Sequence, residues 1–521
     1  MNRKESIRAL QETKQWDLIV IGGGATGLGI AVDASKRGYK CLLLEKNDFA
    51  KGTSSRSTKL VHGGVRYLAQ GNIKLVVEAL RERSYLLSNA PHLTRIQPFI
   101  IPVYSYFLKW FYGIGLMVYD LLAARRSVGK TNWLSKSTVL NAMPSIRKIG
   151  LKGGIRYSDG QFDDARLAIA LAMTAHDQGA TVLNYASVTS LKKENGKVVG
   201  VEAELELEGA RVEIAAKSVI NATGVFVDAI LDMDDPASPA MVMPSQGVHL
   251  VIDKKFFPGA HALMIPKTRD GRVLFALPWQ EHVVIGTTDT PLDSISEEPV
   301  ALEEEIEFII SHFNEYNEKR IDRKDVLSVY AGLRPLVKST NADNTALASR
   351  DHTIMVSPSG LVTITGGKWT TYRKMANDAV NNAAFISKLP AVKCSTKNLR
   401  LHGYTSSVRY GDFLSSYGAD ADIIQQWMQE DPMLSVKVHP NHEYRRAEVV
   451  WSVKMEMAMT VEDILARRCR MLLLDARAAL EAAPIVARIM APLLDKDKDW
   501  EEEQVTQFRE LATQYLIHVS E

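Results

Sequence analysis

Cysteine is scarce, with only Cys41, Cys394 and Cys469 in 521 residues. No two of them stand in a CxxC or Cys/His ligand spacing, so no metal site is signalled and a reducing compartment is expected. A charge excess is missing too: 63 Lys and Arg against 61 Asp and Glu leave a formal net charge of +2. No field of one sign covers the surface, which argues against nucleic acid as a partner. No stretch reaches the roughly 18 uninterrupted apolar residues of a membrane span. Residues 1–17 lack the apolar core, about 7 to 15 residues long, of a secretory signal. The expectation is a protein of the cytoplasm, held peripherally at the inner face of the cytoplasmic membrane. Internal repeats and low-complexity tracts are also lacking. What remains is an ordinary globular balance, 46% hydrophobic and 24% charged, in a chain longer than the ~250 to 300 residues that one core supports. Two or three folded domains are expected.

The first informative segment is 17–37. An apolar, β-branched run at 17–21 leads into Gly22-Gly-Gly24-Ala-Thr-Gly27 and then into helical composition at 28–37. The pattern predicts a strand, a tight turn and a helix. Gly22 permits the turn, Gly24 lets the backbone approach a pyrophosphate, and Gly27 lets the helix pack against the strand. The helix start offers unpaired amides and a partial positive charge to phosphates. A second strand at 40–44 ends in Glu45, where a ribose-binding acid is expected.

The glycine motif does not separate FAD from NAD, but three later segments add to it. Thr53-Ser54-Ser55 belongs to a hydroxyl-rich stretch at 53–58 suited to a pyrophosphate. The run 219–224 is an apolar strand ending in a small-residue turn at Gly224. The run 363–372 reads as a strand, a Gly366-Gly367 turn and a helix. Together they predict one nucleotide-binding domain assembled from dispersed pieces.

With these residues in view, the chain resembles the FAD-dependent glycerol-3-phosphate dehydrogenases, a branch of the amino-acid-oxidase-like flavoproteins. The resemblance covers almost the whole chain. Its most specific strings are GTSSRSTKLVHGGVRYL at 52–68, DGQFDDARL at 159–167, INATGVFVD at 220–228, GTTDTPLD at 286–293, AGLRPL at 331–336 and GGKWTTYRKMA at 366–376. It implies non-covalent FAD, with the isoalloxazine ring near His62-Gly63-Gly64 and the Gly366-Gly367 turn. It also implies a glycerol 3-phosphate pocket formed by Arg334 and Lys368 with Arg66, Tyr67 and His249. A quinone acceptor, a peripheral membrane surface and a homodimer are the partners expected on the same basis.

The pocket residues suit this chemistry. A phosphorylated polyol needs cations for its dianion and for the alkoxide that develops as hydride leaves carbon. Arg334 can grip phosphate bidentately, whereas Lys368 offers a compact charge of a kind whose pKa burial can lower. Both follow strand-like runs, at 326–330 and 361–365. His249 alternates with Val248 and Leu250, so its side chain is predicted on the opposite face. His62, before a glycine pair, suits packing on the ring or bonding to the cofactor. The proton acceptor stays open among His249, Lys368 and a water that they position.

The predicted fold class is α/β. An FAD-binding Rossmann-like domain spans 1–75, 156–234 and 346–389, a β-rich substrate domain spans 76–155 and 235–345, and a helical C-terminal domain spans 390–521. The runs 272–276 and 282–286 alternate like strands, and 461–475 has helical spacing. The most apolar stretch, 98–124, is aromatic-rich and followed by Arg125-Arg126; it suits either a bilayer interface or a buried helix. Arg445-Arg446 and Arg467-Arg468 are further cations that suit either a membrane surface or a structural role. Competing readings are a glycerol-3-phosphate oxidase, an amino-acid oxidase, and a flavin-bound sensor without turnover.

Overall fold

The computed structural model describes residues 1–65, 68, 71–338, 351–408 and 411–517, the side chain of Arg125 excepted. The strand Trp16–Ile21 has Leu18, Ile19 and Val20 fully buried. A strand apolar on both faces belongs inside a sheet covered by helices on both sides. It pairs in parallel with Cys41–Leu44 on one edge and with Ala210–Asn221 on the other. Thr181–Leu183 extends the sheet beyond Cys41–Leu44, Val362–Gly366 extends it beyond Ala210–Asn221, and His352–Val356 closes that edge antiparallel.

The helix Ala25–Lys36 begins directly after the glycine turn. A Cβ on Gly27 would lie 1.8 Å from the Gly22 carbonyl oxygen, and one on Gly29 would lie 2.8 Å from the Tyr372 ring. Glycine therefore sets how closely this helix approaches both its own strand and the helix Tyr372–Ile386.

A second, ten-stranded sheet lies beside the first. Its longest ladders are antiparallel, Val242–Asp253 against Val326–Val337 and Thr94–Val103 against Gly153–Phe162. The strands predicted at 272–276 and 282–286 are Leu274–Trp279 and His282–Gly286. The strand predicted at 326–330 runs on to Val337, so Arg334 lies within it, opposite Ser245, and not after its end. The strand continues past Tyr330 because Val242–Asp253 pairs with it through to Val337.

The C-terminal helices include Arg446–Glu456, Ala476–Leu493 and Lys498–Thr513. Their apolar faces share one core with the second sheet, in which Ala479, Val486 and Met490 join Phe99, Tyr157 and Val251. The run 461–475 is a π-helical turn at Asp463–Arg468 followed by the short helix Met471–Leu474.

Two readings that the sequence leaves open are decided by the structure. Arg467 and Arg468 are not surface cations: both are buried and bind Asp48 in the interior. The apolar stretch 98–124 is not one element. Its first part is the buried strand Thr94–Val103, whereas the helix Tyr106–Ala123 turns Tyr106, Phe107, Trp110, Phe111, Ile114 and Leu121 outward, with Phe107 75% and Leu121 76% exposed. Several helices escaped the sequence reading, among them Arg3–Glu12, Ile73–Asn89 and Glu303–Tyr316. Arg3–Glu12 has only three buried residues, one of them Arg3, which pairs with Glu208, so its apolar signal is weak.

Candidate functional site

Two adjoining cavities open between the sheets. One, of about 410 Å³, is lined by the predicted Gly22, Gly24, Glu45, Thr53, Ser54, Gly224, Gly366 and Gly367. The other, of about 320 Å³, is lined by the predicted His62, Gly64, His249, Arg334 and Lys368. Thr53, Gly367, Lys368 and Trp369 belong to both walls, so the cavities meet there. Gly27, Ser55 and Gly63 line neither. Gly27 acts through close packing, Ser55 is buried, and the Gly63 amide donates to the Tyr119 hydroxyl at 2.8 Å. Arg66 and Tyr67 lie outside the described residues.

The first cavity suits an extended dinucleotide. Gly22 has a φ of +109°, and a Cβ there would lie 2.8 Å from the Ala222 carbonyl oxygen, so glycine is needed for the turn. The Ala25 amide, at the helix start, donates to the Ser54 hydroxyl at 2.9 Å, which ties the predicted hydroxyl-rich loop to the helix N-terminus. A Cβ on Gly24 would lie 3.1 Å from that same hydroxyl, narrowing the cradle. Glu45 accepts from the Gly23 amide at 2.5 Å and the Asn47 amide at 2.8 Å. Burial pushes its carboxyl above the usual range, and these two amides partly offset that push. An acid fixed at the end of the second strand, glycines at the turn and amides at a helix start form the donor set that a ribose and a pyrophosphate require. FAD fits these residues.

In the second cavity the guanidinium of Arg334 is held on four sides. It donates to the Gln246 carbonyl at 3.0 Å, the Thr288 carbonyl at 2.8 Å, the Thr287 hydroxyl at 2.9 Å and Asp289 at 3.2 Å. The cation is therefore an oriented one, with three of these partners in the GTTDTPLD string and the fourth, Gln246, on the strand Val242–Asp253. A Cβ on Gly247 would lie 2.2 Å from its Nη2, so that glycine makes room for it. His249 is buried, with Nε2 2.9 Å from the Thr58 hydroxyl and its ring stacked on Tyr330 at 4.9 Å. Its Nδ1 has no hydrogen-bond partner among the described residues. Burial, then Lys59 and Arg334, push its pKa well below the ordinary histidine value, so the imidazole is neutral at pH 7.

Behind Tyr330 lies a buried polar layer that the sequence reading did not single out. Lys59 is fully buried; its ammonium donates to Asp164 and to the Ser55 carbonyl, both at 2.7 Å, and sits 5.1 Å from the Tyr330 ring centre. Burial lowers its pKa to about 7 even though Asp164 acts to raise it. Arg470, from the C-terminal part, donates to Asp164 at 3.0 Å and to the Ser55 carbonyl at 2.6 Å. Asp48, between Glu45 and the 52–58 loop, receives both Arg467 and Arg468. Lys59 and Asp164 stand inside strings already noted as specific, which was the available signal. Arg272, also missed, lines the second cavity but pairs with Asp270 at 2.9 Å.

Comparison with known proteins agrees with this geometry. A family model described as FAD dependent oxidoreductase matches residues 17–373, and one described as the C-terminal domain of alpha-glycerophosphate oxidase matches 362–504. The mitochondrial glycerol-3-phosphate dehydrogenase of Homo sapiens is 40% identical over an alignment 552 positions long, covering 99% of this chain and 75% of that protein. A probable mitochondrial glycerol-3-phosphate dehydrogenase of Dictyostelium discoideum is also 40% identical, covering 95% of this chain and 83% of its own. Among solved structures, the glycerol-3-phosphate dehydrogenase of Bacillus halodurans complexed with FAD superimposes with a TM-score of 0.81 at 31% identity, over 99% of both chains. The chain belongs to the FAD-dependent glycerol-3-phosphate dehydrogenases.

Proposed function

We propose that this chain oxidises sn-glycerol 3-phosphate to dihydroxyacetone phosphate and passes the electrons to a membrane quinone. The observation that carries the reading is the junction of the two cavities at Thr53, Gly367 and Lys368, which brings a dinucleotide cradle up against a pocket holding Arg334, Lys368 and a neutral His249. FAD, when bound, supplies the hydride acceptor at flavin N5.

Within this proposal the protein orients the substrate, stabilises charge and moves a proton. Arg334 and Lys368 attract the phosphate dianion and stabilise negative charge on the C2 oxygen as its proton departs. His249, uncharged and aligned by Thr58 and Tyr330, takes that proton. Binding of the dianion raises the basicity of the imidazole, opposing the effect of the neighbouring cations. We also propose the division of the chain into 1–75, 156–234 and 346–389 for the cofactor, 76–155 and 235–345 for the substrate, and 390–521 for the C-terminal helices. The strands of the first sheet support the cofactor segments.

The quinone and the peripheral membrane site rest on the helix Tyr106–Ala123. Among the described residues no helix is long and apolar enough to cross a membrane. This one nevertheless leaves Phe107, Trp110, Phe111 and Leu121 mostly exposed on one element, a composition suited to lying within a bilayer interface. We infer that it seats the enzyme on the inner face of the cytoplasmic membrane.

The test is anaerobic addition of glycerol 3-phosphate to the yellow protein, followed by a short-chain quinone or oxygen. Bleaching by glycerol 3-phosphate but not by glycerol, then rapid recolouring by quinone, is the expected result. Rapid recolouring by oxygen with stoichiometric peroxide favours the oxidase reading instead. Liposome co-sedimentation that survives Phe107→Ser with Trp110→Ser would remove the membrane role of this helix.

A further inference from the structure

The helices Ile73–Asn89 and Tyr372–Ile386, the end of the helix Ala25–Lys36 and the segment 387–397 enclose a third cleft, of about 840 Å³. None of its lining residues lines the two cavities of the site. Seven cationic side chains face it against two carboxylates, Glu78 and Glu82. Three of the cations are neutralised where they stand. Arg37 pairs with Asp33, Lys374 with Asp378, and Arg373 grips Glu82 through two hydrogen bonds of 2.6 and 2.7 Å.

The other four, Arg81, Lys388, Lys393 and Lys397, are exposed and form no ion pair among the described residues, and only Glu78 opposes them. A chain with a net charge of +2 has no general excess of cations to explain this cluster. Like charges gathered without partners repel each other, and an anionic ligand relieves the repulsion.

The wall is held in place. The Tyr39 hydroxyl donates to the Pro390 carbonyl at 2.5 Å, and Arg37 donates to the Val392 carbonyl at 3.0 Å. Both residues are buried, so the segment bearing Lys393 and Lys397 is anchored to the first domain. Beside the cations Phe385 is 86% exposed, a whole aromatic ring left in water on an otherwise well-packed helix.

We propose that this cleft binds a nucleoside polyphosphate. The phosphates lie against Arg81, Lys388, Lys393 and Lys397, and the base stacks on Phe385. Four separated cations match a chain of phosphates better than a single one, and the ring supplies a surface that inorganic phosphate does not use.

The test is calorimetric titration of the FAD-loaded full chain with ADP and with pyrophosphate at low ionic strength, where exposed charges are least screened. Saturable one-to-one binding of ADP is expected. Lys393→Glu with Lys397→Glu should weaken it about tenfold or more, and Phe385→Ala should weaken ADP about tenfold while leaving pyrophosphate unchanged. These variants should keep wild-type flavin content and glycerol 3-phosphate turnover. Arg81→Gln with Lys388→Gln, on different elements, repeats the test if the first pair fails to fold. Absence of saturable ADP binding overturns the proposal, as does ADP affinity indifferent to both cation pairs. Binding of phosphatidylglycerol vesicles through these lysines without ADP binding also overturns it, in favour of a lipid headgroup.

Discussion

His249 lies flat on Tyr330, with ring centres 4.9 Å apart and planes 15° from parallel, while Gly286 faces it from the neighbouring strand. A Cβ on Gly286 would lie 2.3 Å from the imidazole Cδ2. Gly286→Ala should therefore push the ring off Tyr330 and away from Thr58. Turnover is expected to fall about a hundredfold, the scale of losing one positioned proton acceptor, with flavin absorbance near wild type. Unchanged steady-state kinetics would show that the position of this ring does not matter.

His249→Asn keeps a polar, hydrogen-bonding side chain but cannot take a proton at neutral pH. The expected loss is mainly in kcat, about a hundredfold or more, whereas a purely structural histidine would lose flavin and thermal stability together. Lys59→Met probes the same group from behind. Removing that neighbouring cation raises the His249 pKa, so more imidazole is protonated at a given acidic pH. The acid limb of the kcat/KM profile should move to higher pH if His249 is the proposed proton acceptor, and an unmoved limb would dissociate Lys59 from that role.

Asp48 is fully buried between Arg467 and Arg468. Asp48→Asn leaves two buried guanidiniums without the carboxylate they share, a change that typically costs about 3 to 5 kcal/mol. The loop from Glu45 to Ser55 loses one of its ties to the C-terminal part, while Lys51–Glu462 and the Arg470–Ser55 hydrogen bond remain. Dialysis should then strip FAD from the variant faster than from wild type. Equal retention of FAD at a lowered Tm would mean that the tie stabilises the fold without acting on the cofactor.

His402 stands between Asp177 at 2.6 Å and Asp420 at 3.1 Å. Burial opposes its protonation, but the two carboxylates prevail and raise its pKa to about 9. With an unfolded value of about 6.5, this contribution to stability is complete below that pH and disappears as pH rises through about 9. Urea midpoints of wild type and His402→Gln should differ most near pH 6 and converge near pH 10. A constant difference would assign the effect to packing.

The cofactor cradle was legible in the sequence because each piece is local: a strand, three glycines, an acid at the next strand end. His249 was legible through alternation, which put its side chain on the face opposite Val248 and Leu250. Lys59, Asp164 and Arg470 were not, because a buried ion pair has no periodicity of its own and its members come from three distant segments. Arg467 and Arg468 stayed open between surface and interior for the same reason, since nothing near them in sequence announces Asp48. The helix Tyr106–Ala123 was ambiguous because composition reports how apolar a segment is and not which neighbours cover it.

The tie between Asp48 and Arg467-Arg468 also bears on how the protein is made. Its two ends are separated by almost the whole length of the chain, and the strand Trp16–Ile21 likewise waits for Ala210–Asn221 and, beyond it, Val362–Gly366. During synthesis the N-terminal glycine turn leaves the ribosome long before the residues that complete its surroundings. A nascent chain that has not yet released Arg467 exposes Asp48 and an unfinished parallel sheet, and such non-local pairings form slowly. Cofactor loading is therefore expected after translation ends, which makes the apo chain a client for chaperones during that interval.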